Sequence, residues 1–474
     1  MKKIYMALMC LLCLLPLVGM TVAKTDATTE KRTLASFPAL TTEDGHLNTA
    51  FFSEFDAYFN DHFALRNLFV SADAMLMGRV FHTSNVDTVL VGRDGWLYYT
   101  ATIDDYCGKN TMSERELFHT ANNLALLQEY VQQQGSTFLF TVAPNKNTLY
   151  GAQMPRSYKP AQPQQRNLER LQPYLKQCGV NYAELRDLFD DPEHPLYFAR
   201  DSHWNNRGAL LVYNRLCDTL QLPHPTYADA VPEVDEAYVG DLEQMLYPRF
   251  ARVESNDVYD KYFSFSYGPR FQSVEDAIIE STGTGENASV LMYRDSFGNA
   301  LIPFFANTFR SGYYVKTQPY NTALHMMTRQ PTVVIAEKVE RNLTDYIKTP
   351  PIIPAPVRDA AADAEAPDAS TIEAAPVEAN AGYFAICGTL DDTDAMPADA
   401  KVYVTLSDGK NTATFEAFGV TNEDGEDAYI AYFDRSAFPA ASYDVMLLRG
   451  GTEVYACAST TVEIPAAEID EING

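Results

Sequence analysis

The chain has 474 residues and a formal net charge of −27, with 36 Lys and Arg against 63 Asp and Glu. This length suggests about two to three domains. The 46% apolar content, with 29 Tyr and 26 Phe, excludes a chain that is disordered throughout. Nucleic acid is excluded as a partner because an acidic surface repels phosphates. Residues 351–474 hold 23 acidic and 5 basic residues, so most of the charge lies in the last quarter of the chain.

The N-terminus has the pattern of an export signal. Two lysines precede an apolar run at residues 4–20, and the small-residue sequence TVA ends at residue 23. We predict a signal peptide at residues 1–23, with an uncleaved membrane anchor as the alternative. A polar linker follows at residues 24–50. The protein is therefore expected outside the cytoplasm, secreted or N-terminally anchored, at the extracellular face of the membrane or in the cell envelope.

Residues 51–348 alternate predicted helices and strands, which indicates an α/β domain with a mainly parallel sheet. An aromatic helix begins at Phe51, and residues 88–99 predict a β-hairpin. Ser113 and Glu116 form a capping box that opens a long helix, and Gly135 ends it. Further strands are predicted at 137–143, 179–185, 288–293 and 332–337, and further helices at 165–177, 207–220 and 297–307.

The composition changes after residue 348. Residues 349–380 are rich in Pro, Ala, Asp and Glu, and predict an extended, self-repelling linker rather than a packed segment. Short strands separated by turn clusters predict a small all-β sandwich at residues 381–465, before a tail at 466–474. Cys387 and Cys457 lie in its first and last strands, either as a disulfide or as two unpaired core thiols.

Two short segments carry residues suited to acyl transfer. Ser296 follows a hydrophobic strand and precedes a predicted helix, a position that exposes a hydroxyl beside backbone N–H groups able to bind an oxyanion. A serine hydroxyl needs a histidine base, and the base needs a carboxylate to orient it. Asp201 and His203 could supply both from one loop. By composition alone, a D-x-H triplet is usually a solvated loop, and a serine at a helix start is usually a cap.

Six segments in order resemble the DHHW family of exported bacterial proteins, relatives of the periplasmic alginate O-acetyltransferases. That family belongs to the SGNH (GDSL-like) superfamily in permuted order, with the histidine segment before the serine. The segments are YFNDHFALRN (58–67), VLVGRDGWLYY (89–99), VAPNKNTLY (142–150), RDSHWN (200–205), YRDSFGNAL (293–301) and VVIAEKVERNL (333–343). Position 202 departs from the family pattern, with Ser where His is usual.

The resemblance implies an SGNH-type three-layer sandwich and an acetyl-serine mechanism. Ser296 would be the nucleophile, His203 the general base and then acid, and Asp201 the residue that orients His203. The implied activity is serine-dependent O-acetyl transfer to, or acetyl-ester hydrolysis on, an extracellular or envelope polysaccharide. A membrane-bound O-acyltransferase is the implied acetyl supplier. No cofactor or metal is expected, since the residues near His194 read as an ordinary polar loop.

Further residues are candidates for the oxyanion or the substrate. Asn145 and Lys146 follow a buried strand at its carboxyl end, where open α/β sheets bind ligands. Arg294 could contact an anionic sugar or pair with a carboxylate, and Trp204 could stack on a sugar or lie in the core. Asn299 is a candidate that could also serve only for capping.

Nearby carboxylates have more ordinary interpretations. Asp295 is expected to brace the turn through backbone N–H groups, and Glu337, Glu340 and Arg341 to form an ion-pair set.

A non-enzymatic alternative stays open. In that case the α/β core would be a catalytically inactive scaffold of a polysaccharide-modification complex, and the C-terminal domain would bind glycan. The sequence leaves the acceptor, the donor, transfer against hydrolysis and the oligomeric state undetermined. If the enzyme hypothesis holds, His203 Nε2 should lie within about 3–4 Å of Ser296 Oγ.

Overall fold

The computed structural model describes residues 3–6, 9, 34–42, 44–63, 66–78, 83–190, 194–391 and 396–465. Most of the predicted signal peptide or anchor, part of the 24–50 linker and the 466–474 tail lie outside this range, and so does part of the polar loop before His194. No helix within the described ranges is long and apolar enough to cross a membrane.

A mixed seven-stranded sheet forms the centre of the first domain. In spatial order its strands are β4 (Tyr182–Ala183), β3 (Thr137–Ala143), β11 (Val333–Val339), β9 (Asn287–Tyr293), β10 (Phe309–Val315), β8 (Ile278–Gly283) and β7 (Phe265–Tyr267). The first five are parallel, and β8 runs antiparallel to both of its neighbours, β10 and β7. The central strands therefore end at one edge of the sheet, where ligands bind in open α/β folds.

Helices cover both faces of this sheet. On one face pack α4 (Glu114–Gln133), α6 (Asn167–Gln177) and α11 (Asp345–Lys348); on the other pack α7 (Asn206–Thr219) and α9 (Ile302–Thr308). Successive side chains of a strand point to opposite faces of the sheet, so alternate residues pack into the two apolar cores between the sheet and its helix layers. Leu291 and Val334 join the first core, and Met292 and Ile335 join the second. This is the helix-covered α/β arrangement that the sequence predicts.

The remaining elements of this domain are shorter or lie at its margin. They are α1 (Phe51–His62), α2 (Arg66–Leu76), the hairpin β1 (Val89–Val91) and β2 (Leu97–Tyr99), α3 (Ile103–Cys107), α5 (Lys146–Leu149), the antiparallel pair β5 (Glu233–Tyr238) and β6 (Glu254–Val258), α8 (Asp241–Leu246) and α10 (Thr322–Arg329).

Local sequence signals account for several of these boundaries. Ser113 accepts the backbone N–H of Glu116, and Glu116 accepts that of Ser113, so the predicted capping box is present. Gly135 ends that helix with φ at 81°, a conformation open to glycine. The strand predicted at 179–185 is wrong in length, because only Tyr182 and Ala183 pair with β3.

The C-terminal domain is a nine-stranded sheet that curls around its own core. Its long strands are β15 (Tyr383–Thr389), β16 (Lys401–Ser407), β17 (Thr412–Thr421), β18 (Asp427–Asp434), β19 (Ser442–Gly450) and β20 (Val454–Glu463). β17 pairs with β16 through residues 412–417 and with β18 through residues 418–421. Because one strand serves both halves, their inner faces enclose an apolar cluster that contains Phe415 and Phe433.

The segment at 349–380 packs against both domains, contrary to the predicted free linker. It contributes β12 (Val357–Arg358), β13 (Ala364–Glu365) and β14 (Glu373–Pro376) to the C-terminal sheet. Ile352 and Ile353 are fully buried between the domains. The composition missed this because two isoleucines and a few backbone pairs fix a segment that is otherwise acidic and proline-rich.

A buried polar cluster also joins the two domains. Glu416 of β17 is 1% exposed and accepts hydrogen bonds from Asn122 of α4 (3.0 Å) and Arg358 (2.7 Å), while Lys401 pairs with it at 2.9 Å. Arg358 also pairs with Glu129 of α4. These contacts hold the curled sheet against the helix layer of the first domain.

Cys387 and Cys457 are both free thiols. The sequence left open either a disulfide between them or two unpaired thiols, and the structure has two unpaired thiols.

Candidate active site

Ser296 lies three residues beyond the end of the central strand β9. β9 ends at Tyr293, and residues 297–300 form a single 3₁₀ turn before α9. The helix predicted over 297–307 is therefore divided into this turn and a short α-helix. The hydroxyl of Ser296 is half-buried at the carboxyl edge of the parallel strands.

Three sequence-predicted residues meet at this edge. His203 Nε2 lies 2.8 Å from Ser296 Oγ, and His203 Nδ1 lies 2.7 Å from Asp201 Oδ1. The Ser296 hydroxyl can thus donate to Nε2 while Nδ1–H donates to the carboxylate. The first distance is shorter than the limit of about 3–4 Å expected from the sequence, and the order Ser, His, Asp is that of a nucleophile, a base and a residue that orients the base.

Asp201 is held by four donors although it is only 2% exposed. Its Oδ1 accepts the backbone N–H and Nδ1–H of His203, and its Oδ2 accepts Tyr238 Oη–H and Asp241 N–H, both at 2.8 Å. Burial alone would raise the pKa of Asp201, but the hydrogen bond and charge of His203 bring this pKa well below its usual range. Asp201 is therefore a fixed carboxylate at neutral pH.

His203 is tuned in the opposite direction. Burial would lower the pKa of His203, but the hydrogen bond and charge of Asp201, and the charge of Asp241, raise this pKa above its usual value. The site therefore stabilises the imidazolium that forms when the histidine takes a proton from a serine.

A second carboxylate lies behind His203, and the sequence did not reveal it. Asp241 Oδ2 is 3.7 Å from His203 Nδ1 and accepts the Ser202 hydroxyl at 2.6 Å, while Ser202 Oγ lies 3.2 Å from Nδ1. Burial and the charge of Asp201 raise the pKa of Asp241. Tyr238 and Asp241 are 37 and 40 residues from Asp201 in sequence, so no spacing pattern could have linked them.

A glycine permits the approach of the loop that carries these residues. A Cβ on Gly240 would lie 2.4 Å from the carbonyl oxygen of Arg200. Glycine therefore lets the start of α8 reach Asp201 closely enough for Asp241 N–H to donate to it.

The serine turn is braced as expected by Asp295. Asp295 Oδ1 accepts Phe297 N–H at 2.9 Å, and Oδ2 accepts Val339 N–H at 2.7 Å. The ion-pair set expected among Glu337, Glu340 and Arg341 is not present in the described part of the chain. Glu340 pairs with Arg186 at 3.1 Å, whereas Glu337 is buried and accepts Asp295 N–H. Burial and the charge of Asp295 raise the pKa of Glu337 well above its usual value.

Asn145 and Lys146 lie in structural contacts rather than beside the serine. Asn145 donates to Asp105 at 2.8 Å. Lys146 donates to the carbonyl oxygens of Leu97, Ala199 and Asp201, and burial lowers its pKa to about 7. Neither lines the cavity next to Ser296. Lys146 instead ties the β1–β2 hairpin to the loop that carries Asp201.

Arg294 is buried away from any ligand. It is 1% exposed and donates to the carbonyl oxygens of Val274 (3.0 Å) and Asp276 (2.9 Å) and to Asn299 Oδ1. Of the two alternatives left open for Arg294, a contact with an anionic sugar or a pair with a carboxylate, the structure shows neither, because its donors bond to loop carbonyls and Asn299. Asn299 lines the cavity, but its amide bridges Arg294 and Glu275.

Trp204 is a core residue. It is 2% exposed and packs against Phe189, Tyr197 and Phe297, with only an edge at the cavity. Its predicted alternative role as a sugar-stacking platform is thus excluded by burial, and the core role holds.

Asp201, His203 and Asp241 have ligand atoms within 4.8 Å of one another, the separation that a metal ion needs. These atoms are bonded to one another, to Ser202 and to Tyr238. An ion would have to replace those bonds, so we assign no metal.

A cavity of about 280 Å³ opens beside Ser296 and His203. Aromatic rings form much of its wall, and polar groups lie between them. The lining includes Tyr238, Tyr259, Phe263, Phe297, Phe304, Asn206, Asn256, Asp260 and Glu275. An acyl group on Ser296 would therefore face a space large enough for a small acceptor group.

The sequence matches one family model over residues 89–262, described as the SGNH hydrolase-like domain of the acetyltransferase AlgX. The chain resembles this family. The resemblance predicted from the motifs is thereby confirmed over this part of the chain, which includes Asp201 and His203 but ends before Ser296. No curated protein sequence matches the chain.

Several solved structures match part of the chain at low sequence identity. PatB1 of Bacillus cereus is 17% identical, with a TM-score of 0.41, over 54% of this chain and 96% of that one. A DHHW family protein from Eubacterium siraeum is 17% identical, with a TM-score of 0.37, over 47% and 85%. AlgX of Pseudomonas aeruginosa is 13% identical, with a TM-score of 0.35, over 73% and 86%.

Proposed function

We propose that the protein is an exported serine O-acetyltransferase or acetylesterase that acts on a polysaccharide. The observation that carries this proposal is the continuous hydrogen-bond chain from Ser296 through His203 to Asp201, with distances of 2.8 and 2.7 Å. We also infer that residues 51–348 form an SGNH-type three-layer sandwich and residues 381–465 an accessory domain.

In the proposed first half-reaction, Ser296 Oγ attacks the carbonyl carbon of an acetyl donor while His203 Nε2 takes the hydroxyl proton. The carbonyl oxygen becomes an oxyanion, which backbone N–H groups at the start of the 3₁₀ turn would bind. Phe297 N–H is already bonded to Asp295, so the N–H groups of Ser296 and Gly298 are the proposed donors. His203 then returns the proton to the leaving group, and acetyl-Ser296 remains.

In the second half-reaction, a sugar hydroxyl or water attacks acetyl-Ser296. His203 Nε2 takes the proton of the attacking group and gives it to Ser296 Oγ as the ester bond breaks. Exclusion of water from the cavity would favour transfer over hydrolysis. A membrane-bound acyltransferase outside the cytoplasm would supply the acetyl groups.

Hydrolysis of p-nitrophenyl acetate by the purified protein without residues 1–23 tests the proposal. We expect wild-type turnover that falls by at least about 10³-fold in Ser296→Ala and His203→Ala. Ser289→Ala, a serine of the same strand outside the cavity, is the matched control. Full activity in both site variants, or none in the wild type with any acetyl donor, would refute the enzyme and favour the scaffold alternative.

A further inference from the structure

The lining of the cavity beside Ser296 is rich in acidic side chains, which affects anionic and neutral acceptors differently. Its lining contains four carboxylate residues and no lysine or arginine: Asp201, Asp241, Asp260 and Glu275. A cleft lined by one sign of charge concentrates ligands of the opposite sign and repels those of the same sign. His203 is the one group of the described lining that can carry a positive charge, and Asp201 and Asp241 already face it, so an acceptor that brings a carboxylate, sulfate or phosphate into this cavity would meet net repulsion.

The nearby cations are occupied elsewhere. Arg294 is buried and bonded to loop carbonyls, and Lys146 is buried and bonded to three other carbonyls. Lys316 pairs with Glu275 at 2.5 Å, which neutralises one of the four carboxylates. The half-buried Arg341 lies over the rings of Tyr99 and Phe297 and is not part of the lining.

The four carboxylates also differ in how directly they face the interior of the cavity. Asp201 and Asp241 lie behind His203 and are fixed by its loop. Asp260 is exposed at the cavity wall and accepts no side-chain hydrogen bond in the described part of the chain. Asp260 is thus the carboxylate best placed to accept a hydrogen bond from a sugar hydroxyl or to repel an anion.

The rest of the wall suits a hydroxyl-rich, uncharged ring. The ring centroid of Phe304 lies 5.6 Å from that of Tyr259 and 5.3 Å from that of Phe263. Aromatic faces offer apolar contact to a sugar, while a carboxylate and an amide can bond its hydroxyls. Asn256 uses its Oδ1 to accept Asn206 N–H, which leaves its NH₂ group as a donor at the wall.

We propose that the acceptor is a glycan whose unit at Ser296 carries no negative charge. This inference rests on the proposed function and narrows its substrate class from polysaccharides in general to those with a neutral sugar at the site of acetylation.

The test compares two aryl acetates that differ in charge, 4-acetoxybenzamide and 4-acetoxybenzoate, each normalised to its rate with hydroxide. At low salt we expect kcat/KM of the wild type to favour the neutral ester by about tenfold or more. Asp260→Asn should reduce this ratio and Asp260→Lys should reduce it further. Asp229→Asn, an exposed aspartate outside the lining, is the matched control and should leave it unchanged.

A ratio near one in the wild type, a preference for the anionic ester, or a ratio that Asp260→Lys does not lower would overturn the inference. Circular dichroism and the thermal midpoint of each variant establish that it is folded. If neither ester is hydrolysed in a Ser296-dependent manner, the proposed function itself fails. Ser296-dependent hydrolysis of both esters at equal normalised rates would contradict only the inference that the acceptor is neutral.

Discussion

The contact between Tyr238 and Asp201 gives a prediction whose magnitude follows from the structure. Tyr238→Phe removes one oxygen atom and keeps the ring, which stacks on Phe198 with centroids 4.2 Å apart. The lost hydrogen bond joins a hydroxyl to a carboxylate that is 2% exposed. Hydrogen bonds to charged groups contribute about 1.5–3 kcal/mol. We therefore expect the free energy of unfolding at pH 7 to fall by about that amount.

The pH dependence of this loss follows from the ionisation of Asp201. A depressed folded-state pKa contributes stability above the unfolded pKa of about 3.9, and this contribution is lost only as the pH falls through the folded value. Because Asp201 keeps three other donors in Tyr238→Phe, it should remain ionised, and the difference between wild type and variant should stay constant from about pH 5 to 8.

Urea unfolding at several pH values measures this difference. Tyr259→Phe is the matched control, because the Tyr259 hydroxyl makes no hydrogen bond within the described residues, and its free energy of unfolding should change by less than about 0.5 kcal/mol. An unchanged stability in Tyr238→Phe, a loss equal to that of Tyr259→Phe, or a loss that varies across pH 5–8 would refute the reasoning.

Three further predictions concern the base, the serine turn and the domain contact. The raised pKa of His203 predicts that kcat/KM falls as the pH drops through an apparent pKa above 6.5, since the protonated imidazole cannot act as a base; a pH–rate profile with no such limb would contradict it. Gly298→Ala places a Cβ 2.6 Å from Arg294 Cβ and should cost about 1–3 kcal/mol of stability by thermal unfolding, with lower esterase activity. Glu416→Gln removes the buried charge that pairs with the partly exposed Arg358 and Lys401 and should cost about 1.5–3 kcal/mol, whereas the exposed Glu423→Gln should be neutral; equal urea midpoints would argue against the contact.

The sequence predicted the elements whose signals are local. The Ser113–Glu116 capping box and the apolar run at 137–143 both lie where expected, because capping and strand burial depend on neighbouring residues. The strands β7, β8 and β10 were not predicted: β7 is a three-residue edge strand, β8 has mixed polarity and runs antiparallel to both of its neighbours, and Arg310, Ser311 and Gly312 interrupt the apolar pattern of β10. The linker at 349–380 was misjudged because its packing depends on two isoleucines that contact distant elements.

The candidate site shows the same division. Ser296, His203 and Asp201 could be chosen from two short motifs, and the structure brings them together. Tyr238 and Asp241 could not, since they reach Asp201 only through the β5–β6 pair and the start of α8. The direction in which a side chain points could not be predicted from the sequence either. Arg294 and Lys146 belong to segments 293–301 and 142–150, which carry the family resemblance, but both bond to backbone carbonyls.

The central claim is that Ser296 takes the acetyl group. Rapid quenching of the enzyme during turnover of p-nitrophenyl acetate, followed by proteolysis and mass spectrometry, tests it most directly. The account predicts one acetyl group on the peptide that contains Ser296, and more of this acetylated peptide when no acceptor is present. The adduct should be absent in Ser296→Ala, and it should form more slowly in His203→Ala than in the wild type. Acetylation confined to other residues, or turnover that persists in Ser296→Ala, would contradict it.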